Sequence, residues 1–296
     1  MIKLYGTPVV DKMLKDINNK LNYLSKNNII PKLAIVRLGE NNDDILYEKS
    51  IIKNANSIGM QTDINVLPLN TEHKTLEELI IKLNNDKSIH GILIFNSLPI
   101  NIDESKIKKI IKAEKDIDCI SYNNIAKLFI GKEPDFIPCT VEAVIELLNF
   151  YNIDVEGKII TIIGRSEIVG KPLSIMLLNK NATVTICHSK TVNLIEECKK
   201  ADILISSVGK ANIITDKYIN KDQIIIDIGI NYLDGKICGD VNFDSVKDKI
   251  KMITPVPGGI GTITTTILIK NTVYNAYNLY INNKKNVSNK LYKLMR

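Results

Sequence analysis

The chain lacks several features that would assign it quickly to a class. Its five cysteines form no CxxC pair and are odd in number, so we expect reduced thiols rather than a metal or disulfide framework. No apolar run approaches membrane-spanning length, and "MIKLYGTPVVDKML" has no apolar signal core. No block of like charge and no basic run with interleaved aromatics occurs, although the net charge is +6. We therefore expect a cytoplasmic protein without a metal, membrane or nucleic-acid partner.

What the chain does contain is a regular alternation of apolar and amphipathic segments. Its 296 residues suggest about two domains. Continuous apolar strands that alternate with helices are typical of parallel sheets covered on both faces. We predict two α/β domains, the second of them Rossmann-like, with a cleft between them beyond the carboxyl ends of the strands. The predicted divisions are residues 1–145, residues 146–270, and a terminal helix, 271–296, that packs back on the first domain.

The segments behind this prediction fall into two series. Strands are predicted at "KLAIVRLG", "TDINVLPL", "IHGILIFNSLP", "KIITIIG", "ATVTIC", "ADILISSVG" and "QIIIDIGI". Helices are predicted at "VVDKMLKDINNKLNYL", "DILYEKSIIKNANSIG", "TLEELIIKLNND", "ESKIKKIIKA", "VEAVIELLNFY", "KPLSIMLLN", "TVNLIEECKK" and "TITTTILIKNTVYNAYNLYINN".

The turn "GRSEIVGKP" follows the first strand of the second series. Gly164 permits a sharp turn, and the helix that opens near Gly170 directs backbone N–H groups and a positive dipole end into it. Arg165 can bind a phosphate with two donors, and Ser166 can donate one more hydrogen bond. The spacing is neither that of a P-loop nor that of the usual dinucleotide fingerprint. A glycine-bounded turn without a ligand therefore stays open as the alternative.

The next strand ends in "ICHSKT", near the position where NAD enzymes place a carboxylate for the ribose hydroxyl. The chain has no acid there and instead offers His188, Ser189 and Lys190. With Arg165 close by in the predicted fold, this favours a ribose 2′-phosphate and hence NADP.

Several motifs in order resemble the bifunctional methylenetetrahydrofolate dehydrogenase/methenyltetrahydrofolate cyclohydrolase family of FolD type. They are "GRSEIVGKP", "ATVTICHSKT", "ADILISSVGK", "IIIDIGIN", "GDVNFDSV", "ITPVPGGIGTITTTILIKNT", "EKDIDCIS" and "FIPCT". The resemblance implies a folate-binding domain, an NADP domain and a homodimer in one-carbon metabolism, linked to purine biosynthesis. It implies oxidation of 5,10-methylenetetrahydrofolate with NADP, followed by hydrolysis to 10-formyltetrahydrofolate.

The resemblance also implies roles for individual residues. The cofactor would be bound by Gly164, Arg165, Ser166, Ser189, Gly229, Ile230 and Asn231. The tetrahydrofolate substrate would be bound by Tyr47, Asp118, Pro257, Gly258 and Gly259, of which Tyr47 and Asp118 are the catalytic candidates. Asp118 would bind the pterin ring, because a carboxylate can accept two parallel hydrogen bonds.

The first half departs from the family pattern where the chemistry is expected. The family places a lysine four residues after the tyrosine, and this chain has Ile51. Phe95 stands at the position of a glutamine that would hydrogen-bond that lysine. Lys49 and Lys53 are about 200° and 240° round the helix from Tyr47, so we expect both on a solvated face. Asn96 and Ser97 replace a leucine and a proline, and Asp44 replaces a serine.

These departures lead to a specific hypothesis. Hydride transfer needs mainly alignment, whereas cyclohydrolysis needs a titratable group near the substrate. We predict an NADP-dependent dehydrogenase whose cyclohydrolase activity is weak or lost. Two alternatives stay open, namely an NADP-dependent enzyme acting on a different reduced pterin and a catalytically silent protein that binds folate or NADP.

Overall fold

The fold is described from a computed structural model that covers residues 1–95 and 98–294 of the chain. The strands are β1 Ile2–Lys3, β2 Lys32–Leu38, β3 Gln61–Leu67, β4 Gly91–Ile94, β5 Ile159–Ile163, β6 Thr183–Cys187, β7 Ile203–Ser206, β8 Ile224–Asp227, β9 Asn231–Leu233, β10 Lys236–Cys238 and β11 Met252–Ile253. The helices are α1 Thr7–Ser25, α2 Asn42–Ser57, α3 His73–Asn85, α4 Glu104–Ile110, α5 Tyr122–Phe129, α6 Cys139–Phe150, α7 Gly170–Leu178, α8 Leu194–Lys199, α9 Phe243–Val246 and α10 Ile260–Leu294. Asn96 and Ser97 lie outside the described residues.

The chain forms two compact units, and each is made from separate stretches of sequence. One unit comprises residues 1–12 and 125–267, and it is called the six-stranded unit below. The other comprises residues 13–124 and 268–296, and it is called the three-stranded unit. The domain boundaries drawn from the sequence stay a prediction.

The six-stranded unit is built on a parallel sheet with the strand order β1-β11-β8-β7-β5-β6. Strand β5 lies next to the edge strand β6 and pairs in parallel with β6 and β7, so that Ile160 lies between Val184 and Ile203. Four of the five residues of β5 and all four of β7 are buried. The predicted parallel α/β sheet is confirmed, and continuous burial explains why its strands lack alternating polarity.

The three-stranded unit has the parallel order β3-β2-β4, with β2 in the centre. β4 is fully buried, and so is β2 after its first residue. Helix α10 joins this unit through two amides. Asn271 Nδ2 donates to the carbonyl of Ile117 at 3.2 Å, and Asn275 Nδ2 donates to the carbonyl of His90 at 2.7 Å.

Most of the predicted elements are present, and the differences are in short ones. β4 ends at Ile94, and the strands β1 and β11 were not predicted, because two residues are too few for a periodic signal. The hairpin β9–β10 was also missed, although "LDGK" carries the Asp-Gly signal for a two-residue turn. Asp234 and Gly235 both have positive φ, 50° and 74°, which that turn requires.

Neither a membrane-spanning helix nor a metal-binding cluster occurs among the residues that the structure describes. Within residues 1–95 and 98–294, no helix combines the length and the apolar character needed to cross a membrane. In the same residues, no group of three or more His, Cys, Asp or Glu side chains is arranged to hold a metal ion. All five cysteines are free thiols.

Candidate functional site

The turn between β5 and α7 is shaped by two glycines. Gly164 has φ +130°, and a Cβ at this position would lie 2.7 Å from the carbonyl oxygen of Ser207. A Cβ on Gly170 would lie 2.6 Å from the carbonyl carbon of Gly164. Both positions therefore require glycine, because any side chain would push apart the backbone segments that meet there.

Ser166 and Arg165 lie in this turn at the start of α7. The N–H groups of Val169 and Gly170 donate to Ser166 Oγ at 3.2 and 3.3 Å. Ser166 Oγ thus accepts hydrogen bonds from two backbone N–H groups at the start of α7, while its own hydroxyl hydrogen remains available to a ligand. The Arg165 side chain is exposed at the same turn. This arrangement fits a phosphate, since it combines a helix N-terminus, a hydroxyl donor and a guanidinium.

The turn after β6 is held by its own side chains. The N–H of His188 donates to Thr191 Oγ1 at 2.8 Å, and the N–H of Lys190 donates to His188 Nδ1 at 3.1 Å. Ser189 and Lys190 are exposed, whereas His188 is half-buried. The main chain of β5 pairs with that of β6 up to Ile163 and Cys187, so this turn and the Gly164 turn lie at the same edge of the sheet.

A buried carboxylate organises the loops after β7 and β8. Asp240 has no exposed surface, and its two oxygens accept four hydrogen bonds. The donors are Ser206 Oγ at 2.9 Å, the N–H of Val208 at 2.7 Å, the N–H of Lys210 at 3.0 Å and Asn231 Nδ2 at 3.0 Å. Asp240 therefore connects Asn231, a predicted cofactor residue, to the loop after β7. The motif "GDVNFDSV" contains Asp240, but the motif by itself does not indicate this role.

A second buried carboxylate, Asp227, lies at the end of β8. It accepts hydrogen bonds from the N–H groups of Gly229 at 3.0 Å, Asp240 at 3.1 Å and Val241 at 2.9 Å. Burial raises the pKa of Asp227 to about 7, opposed by these hydrogen bonds, and repulsion from Asp240 adds to the rise. A Cβ on Gly229 would lie 2.6 Å from Asp240 Oδ2. The conformation of the predicted cofactor loop thus depends on glycine at 229.

The predicted loop Pro257–Gly259 contacts the beginning of the chain. The N–H of Gly6 donates to the carbonyl of Gly258 at 2.8 Å. Gly258 has φ +104°, and a Cβ on Gly259 would lie 2.6 Å from the carbonyl oxygen of Pro255. Pro257 is exposed and Gly259 is buried. The loop is close-packed backbone, as its glycine content indicates.

Tyr47 and Phe95 are brought together in the three-stranded unit. Tyr47 lies on α2, and Phe95 directly follows β4. Their ring centroids are 5.9 Å apart at an interplanar angle of 89°, an edge-to-face contact. Phe95 is 7% exposed, and its N–H donates to the carbonyl of Val36 at 3.0 Å. The residue at the family's glutamine position is therefore an apolar neighbour of the predicted folate-stacking tyrosine.

Ile51 has no exposed surface, one helical turn after Tyr47 on α2. Because a step of four residues turns a helix by about 40°, Ile51 shares the side of α2 on which Tyr47 lies. Lys49 and Lys53 are both exposed, which confirms the prediction that they lie on the solvated face. Among the described residues of α2, the buried ones are Glu48, Ile51 and Ala55.

Asp44 and Glu48 are the carboxylates on the buried side of α2. Glu48 Oε2 accepts from Arg37 Nε at 3.0 Å, and Arg37 Nη1 also donates to the carbonyl of Gly39. This pair is about one-tenth exposed on each side chain and fixes α2 to the end of β2. Asp44 Oδ2 is shielded from solvent and has no hydrogen-bond partner within the described part of the chain. Asp44 is thus a carboxylate one turn before Tyr47 whose second oxygen is unused.

Asp118 lies half-buried in the turn before α5. A neighbouring carboxylate, Asp116, determines the shape of that turn. Asp116 has no exposed surface and accepts from the N–H groups of Ile120 at 2.9 Å and Ser121 at 2.8 Å. It also accepts from Asn124 Nδ2 at 3.1 Å. Cys119 has φ +57°, and burial raises the pKa of its thiol. Asp116 was not among the residues predicted from the sequence, since its role depends on its burial in this turn.

Comparison with known proteins places the chain among tetrahydrofolate dehydrogenase/cyclohydrolases. The catalytic-domain model of that family matches residues 4–118, and its NAD(P)-binding-domain model matches residues 138–279. The chain is 48% identical to a bifunctional protein FolD of Clostridium botulinum over 271 residues, which cover 91% of this chain and 96% of that protein.

Two solved structures show the same architecture. The bifunctional enzyme FolD of Campylobacter jejuni superposes with a TM-score of 0.91 at 39% identity, covering 94% of this chain and 99% of that one. The FolD of Trypanosoma brucei, solved with NADP cofactor and an inhibitor, has a TM-score of 0.89 at 30% identity and covers 95% and 98%.

Proposed function

Because this chain belongs to the FolD family of tetrahydrofolate dehydrogenase/cyclohydrolases, we propose that it oxidises 5,10-methylenetetrahydrofolate with NADP and hydrolyses the methenyl product only weakly. The observation that carries this proposal is the burial of Ile51 and Phe95 at two positions where the family has lysine and glutamine. The dehydrogenase and the cyclohydrolase steps place different demands on those positions.

The dehydrogenase step is supported by the geometry of the six-stranded unit. NADP, when bound, accepts a hydride. The Gly164 turn, the Ser166 hydroxyl and the exposed Arg165 fit its phosphates. Asp240 and Asp227 hold the Gly229–Asn231 loop in place. The substrate's own nitrogen lone pair assists departure of the hydride, so the protein contributes chiefly orientation. Ser189 in the exposed turn after β6 supports the choice of NADP over NAD.

The cyclohydrolase step needs proton transfers that Ile51 and Phe95 cannot perform. Water must add to the amidinium carbon, and the tetrahedral adduct must break down with a proton moved to nitrogen. A positioned acid or base contributes about a hundred- to ten-thousand-fold to such a step. Tyr47 makes an edge-to-face contact with Phe95, and Ile51 is fully buried, which suits binding the flat pterin but supplies no titratable group.

The decisive experiment measures the two steps separately on purified protein. NADPH formation from 5,10-methylenetetrahydrofolate and decay of the methenyl compound are followed in parallel assays. We expect clear NADPH formation and methenyl decay close to the solvent background. Hydrolysis well above background that disappears in Asp118→Ala or Asp44→Asn would contradict the proposal, since it would identify another proton-transfer group. Folate binding without NADPH formation would instead support the silent-protein alternative.

A restoration variant tests the assignment of the two positions. Ile51→Lys combined with Phe95→Gln returns the family pattern, and we expect methenyl hydrolysis to rise about a hundredfold. Ile51→Met combined with Phe95→Leu is the matched control, because it alters the same side chains without adding a charge. Equal rates in the two variants would show that these positions do not limit hydrolysis.

We further propose that the protein acts as a cytoplasmic homodimer and supplies one-carbon units to purine biosynthesis, as the family resemblance implies. The predicted binding of the folate by Tyr47, Asp118 and the Pro257–Gly259 loop belongs to this proposal. Cross-linking and sedimentation of the purified protein test the dimer, and growth of a folate-pathway mutant with and without added purine tests the metabolic role.

A further inference from the structure

A cavity of about 710 Å³ lies at the amino ends of the strands in the three-stranded unit. Lys32 begins β2, and His90 directly precedes β4, and both line the cavity. Phe95 follows the last residue of β4 and so marks the opposite edge of the same sheet. Since a strand rises about 3.3 Å per residue, the seven residues of β2 separate the two edges by roughly 20 Å. The cavity is therefore distinct from the Tyr47–Phe95 site.

The lining of this cavity is strongly basic, and we call it the lysine pocket. Four lysines line it, namely Lys32, Lys87, Lys112 and Lys115, against the single carboxylate of Glu114. None of the four takes part in an ion pair with any residue that the structure describes. Four unpaired ammonium groups around one concavity produce a positive potential that attracts anions.

One of these four ammonium groups, that of Lys115, is buried. It is 6% exposed, and its Nζ donates to the carbonyls of Leu83 at 2.9 Å and Asp86 at 2.6 Å. An ammonium has three donors, so one remains after these two bonds. Burial, and then repulsion from Lys112, lower the pKa of Lys115, although Asp86 and Glu114 oppose this. An anion in the pocket would relieve the repulsion between the two lysines.

His90 adds a neutral donor to the same wall. Its Nδ1 accepts from the N–H of Lys32 at 3.1 Å, so the neutral ring carries its proton on Nε2. His90 is 8% exposed, and burial, followed by Lys115 and Lys32, lowers its pKa to about 4. At neutral pH the ring is therefore an N–H donor without a charge.

We propose that the lysine pocket binds a small phosphate-bearing polyanion through Lys32, Lys87 and Lys112, with Lys115 and His90 Nε2 as donors at its inner wall. A phosphate or diphosphate group carries several negative charges and many acceptor oxygens, which matches four ammonium groups and a neutral N–H. The volume lies within the range of small-molecule sites, about 300 to 1,000 Å³. The limited, concave shape favours a small anion over a nucleic-acid backbone. This site goes beyond the dehydrogenase and cyclohydrolase reactions.

Calorimetric titration with inorganic pyrophosphate tests the proposal on the full chain. The protein is first saturated with NADP, so that the Gly164 turn is occupied and only a separate site can respond. We expect one saturable site per chain. Lys112→Gln and Lys87→Gln change exposed side chains, so we expect the fold to be retained and pyrophosphate binding to weaken about tenfold in each variant. Lys74→Gln is the matched control, because Lys74 is an exposed lysine of α3 outside the pocket.

A second measurement follows the His90 imidazole by NMR. Bound pyrophosphate should raise the pKa of His90, because a nearby anion stabilises the protonated ring. Three results would overturn the proposal: no saturable binding to the NADP-saturated protein, binding unchanged by both Lys87→Gln and Lys112→Gln, or equal weakening by Lys74→Gln. Dehydrogenase activity, measured on the same variants, is expected to persist, so this proposal can fail without affecting the proposed function.

Discussion

The six-stranded and three-stranded units use buried polar groups in different ways around their candidate sites. In the six-stranded unit, Asp227 and Asp240 accept hydrogen bonds from the loops that carry the predicted cofactor residues. In the three-stranded unit, Ile51 and Phe95 are buried where the family resemblance expects polar groups, and the buried charged residues include the Arg37–Glu48 pair, Lys115 and Asp116. The first arrangement fixes the conformation of the predicted cofactor loop, whereas the second packs the apolar Phe95 ring against Tyr47. The two units therefore differ in the groups that surround their predicted site residues.

The largest expected effect comes from removing one acceptor in each unit. Asp240→Asn replaces one carboxylate oxygen, which accepts two hydrogen bonds, with an amide NH₂ group. The NH₂ group is itself a donor, so it would face the donors that had bonded to the oxygen. We expect stability to fall by about 3 kcal/mol and the Kd for NADP to rise at least tenfold, with folate binding retained. Asp116→Asn in the other unit should show the reverse pattern, with folate binding lost. Thermal unfolding and separate ligand titrations measure both, and identical ligand profiles for the two variants would break the comparison.

A smaller effect on NADP binding is expected from substitution of Gly164 in the turn predicted to bind phosphate. Gly164→Ala introduces a Cβ 2.7 Å from the carbonyl oxygen of Ser207, and the Kd for NADP should rise about tenfold or more. Gly157→Ala is the matched control, because Gly157 also has positive φ but has no atom within 4 Å of the new Cβ. The control should lose only about 1 to 2 kcal/mol of stability, with its NADP affinity unchanged. If the two variants lost NADP affinity equally, backbone strain at positive φ rather than crowding of the new Cβ would explain the loss.

The pH dependence of stability should have opposite signs for two buried groups. The pKa of Asp227 is raised to about 7 from 3.8, so the folded protein binds more protons between these values and stability falls as pH rises. The pKa of His90 is lowered to about 4 from 6.5, so the unfolded chain binds more protons and stability rises with pH over that window. Each slope is at most about 1.4 kcal/mol per pH unit.

Denaturant unfolding from pH 4 to pH 7 measures these slopes by difference. Relative to wild type, Asp227→Asn should make the stability curve rise more steeply with pH, and His90→Asn should make it rise less. Asn at position 90 retains an acceptor near Nδ1 for the N–H of Lys32. Changes in slope of the same sign for the two variants, each measured relative to wild type, would contradict the pKa shifts. Burial is the largest cause of both pKa shifts. The charges that add to or oppose it are Asp240 near Asp227, and Lys115, Lys32 and Asp86 near His90.

The smallest effect is expected from the aromatic pair. Tyr47→Leu removes the edge-to-face contact with Phe95, which is worth about 0.5 to 1.5 kcal/mol. We expect the KM for the folate substrate to rise, with little change in the Kd for NADP. Tyr47→Phe keeps the ring and serves as the control. If Tyr47→Phe weakened binding of the folate substrate as much as Tyr47→Leu, the tyrosine hydroxyl rather than the ring would be responsible for the interaction with the substrate.

Much of the fold followed from local patterns. The seven predicted strands and eight predicted helices exist because long apolar runs and helical periodicity are local properties of the chain. The turn predicted to bind phosphate is also a local pattern, since Gly164, Ser166 and Gly170 occur within seven residues. The short strands β1 and β11 escaped detection, because two residues become a strand only when a partner pairs with them.

The sequence by itself determined the alternating α/β elements, the glycine-dependent turns and the replacement of a polar pair by Ile51 and Phe95. The tertiary structure alone decided that Asp227, Asp240 and Asp116 would be buried acceptors and that Lys32, Lys87, Lys112 and Lys115 would surround one cavity. The physical reason is that periodicity and turn chemistry act between near neighbours. Burial of a charge depends instead on which distant segments close around it, as when Asp240 accepts hydrogen bonds from Val208 and Lys210 in the loop after β7, 32 and 30 residues earlier.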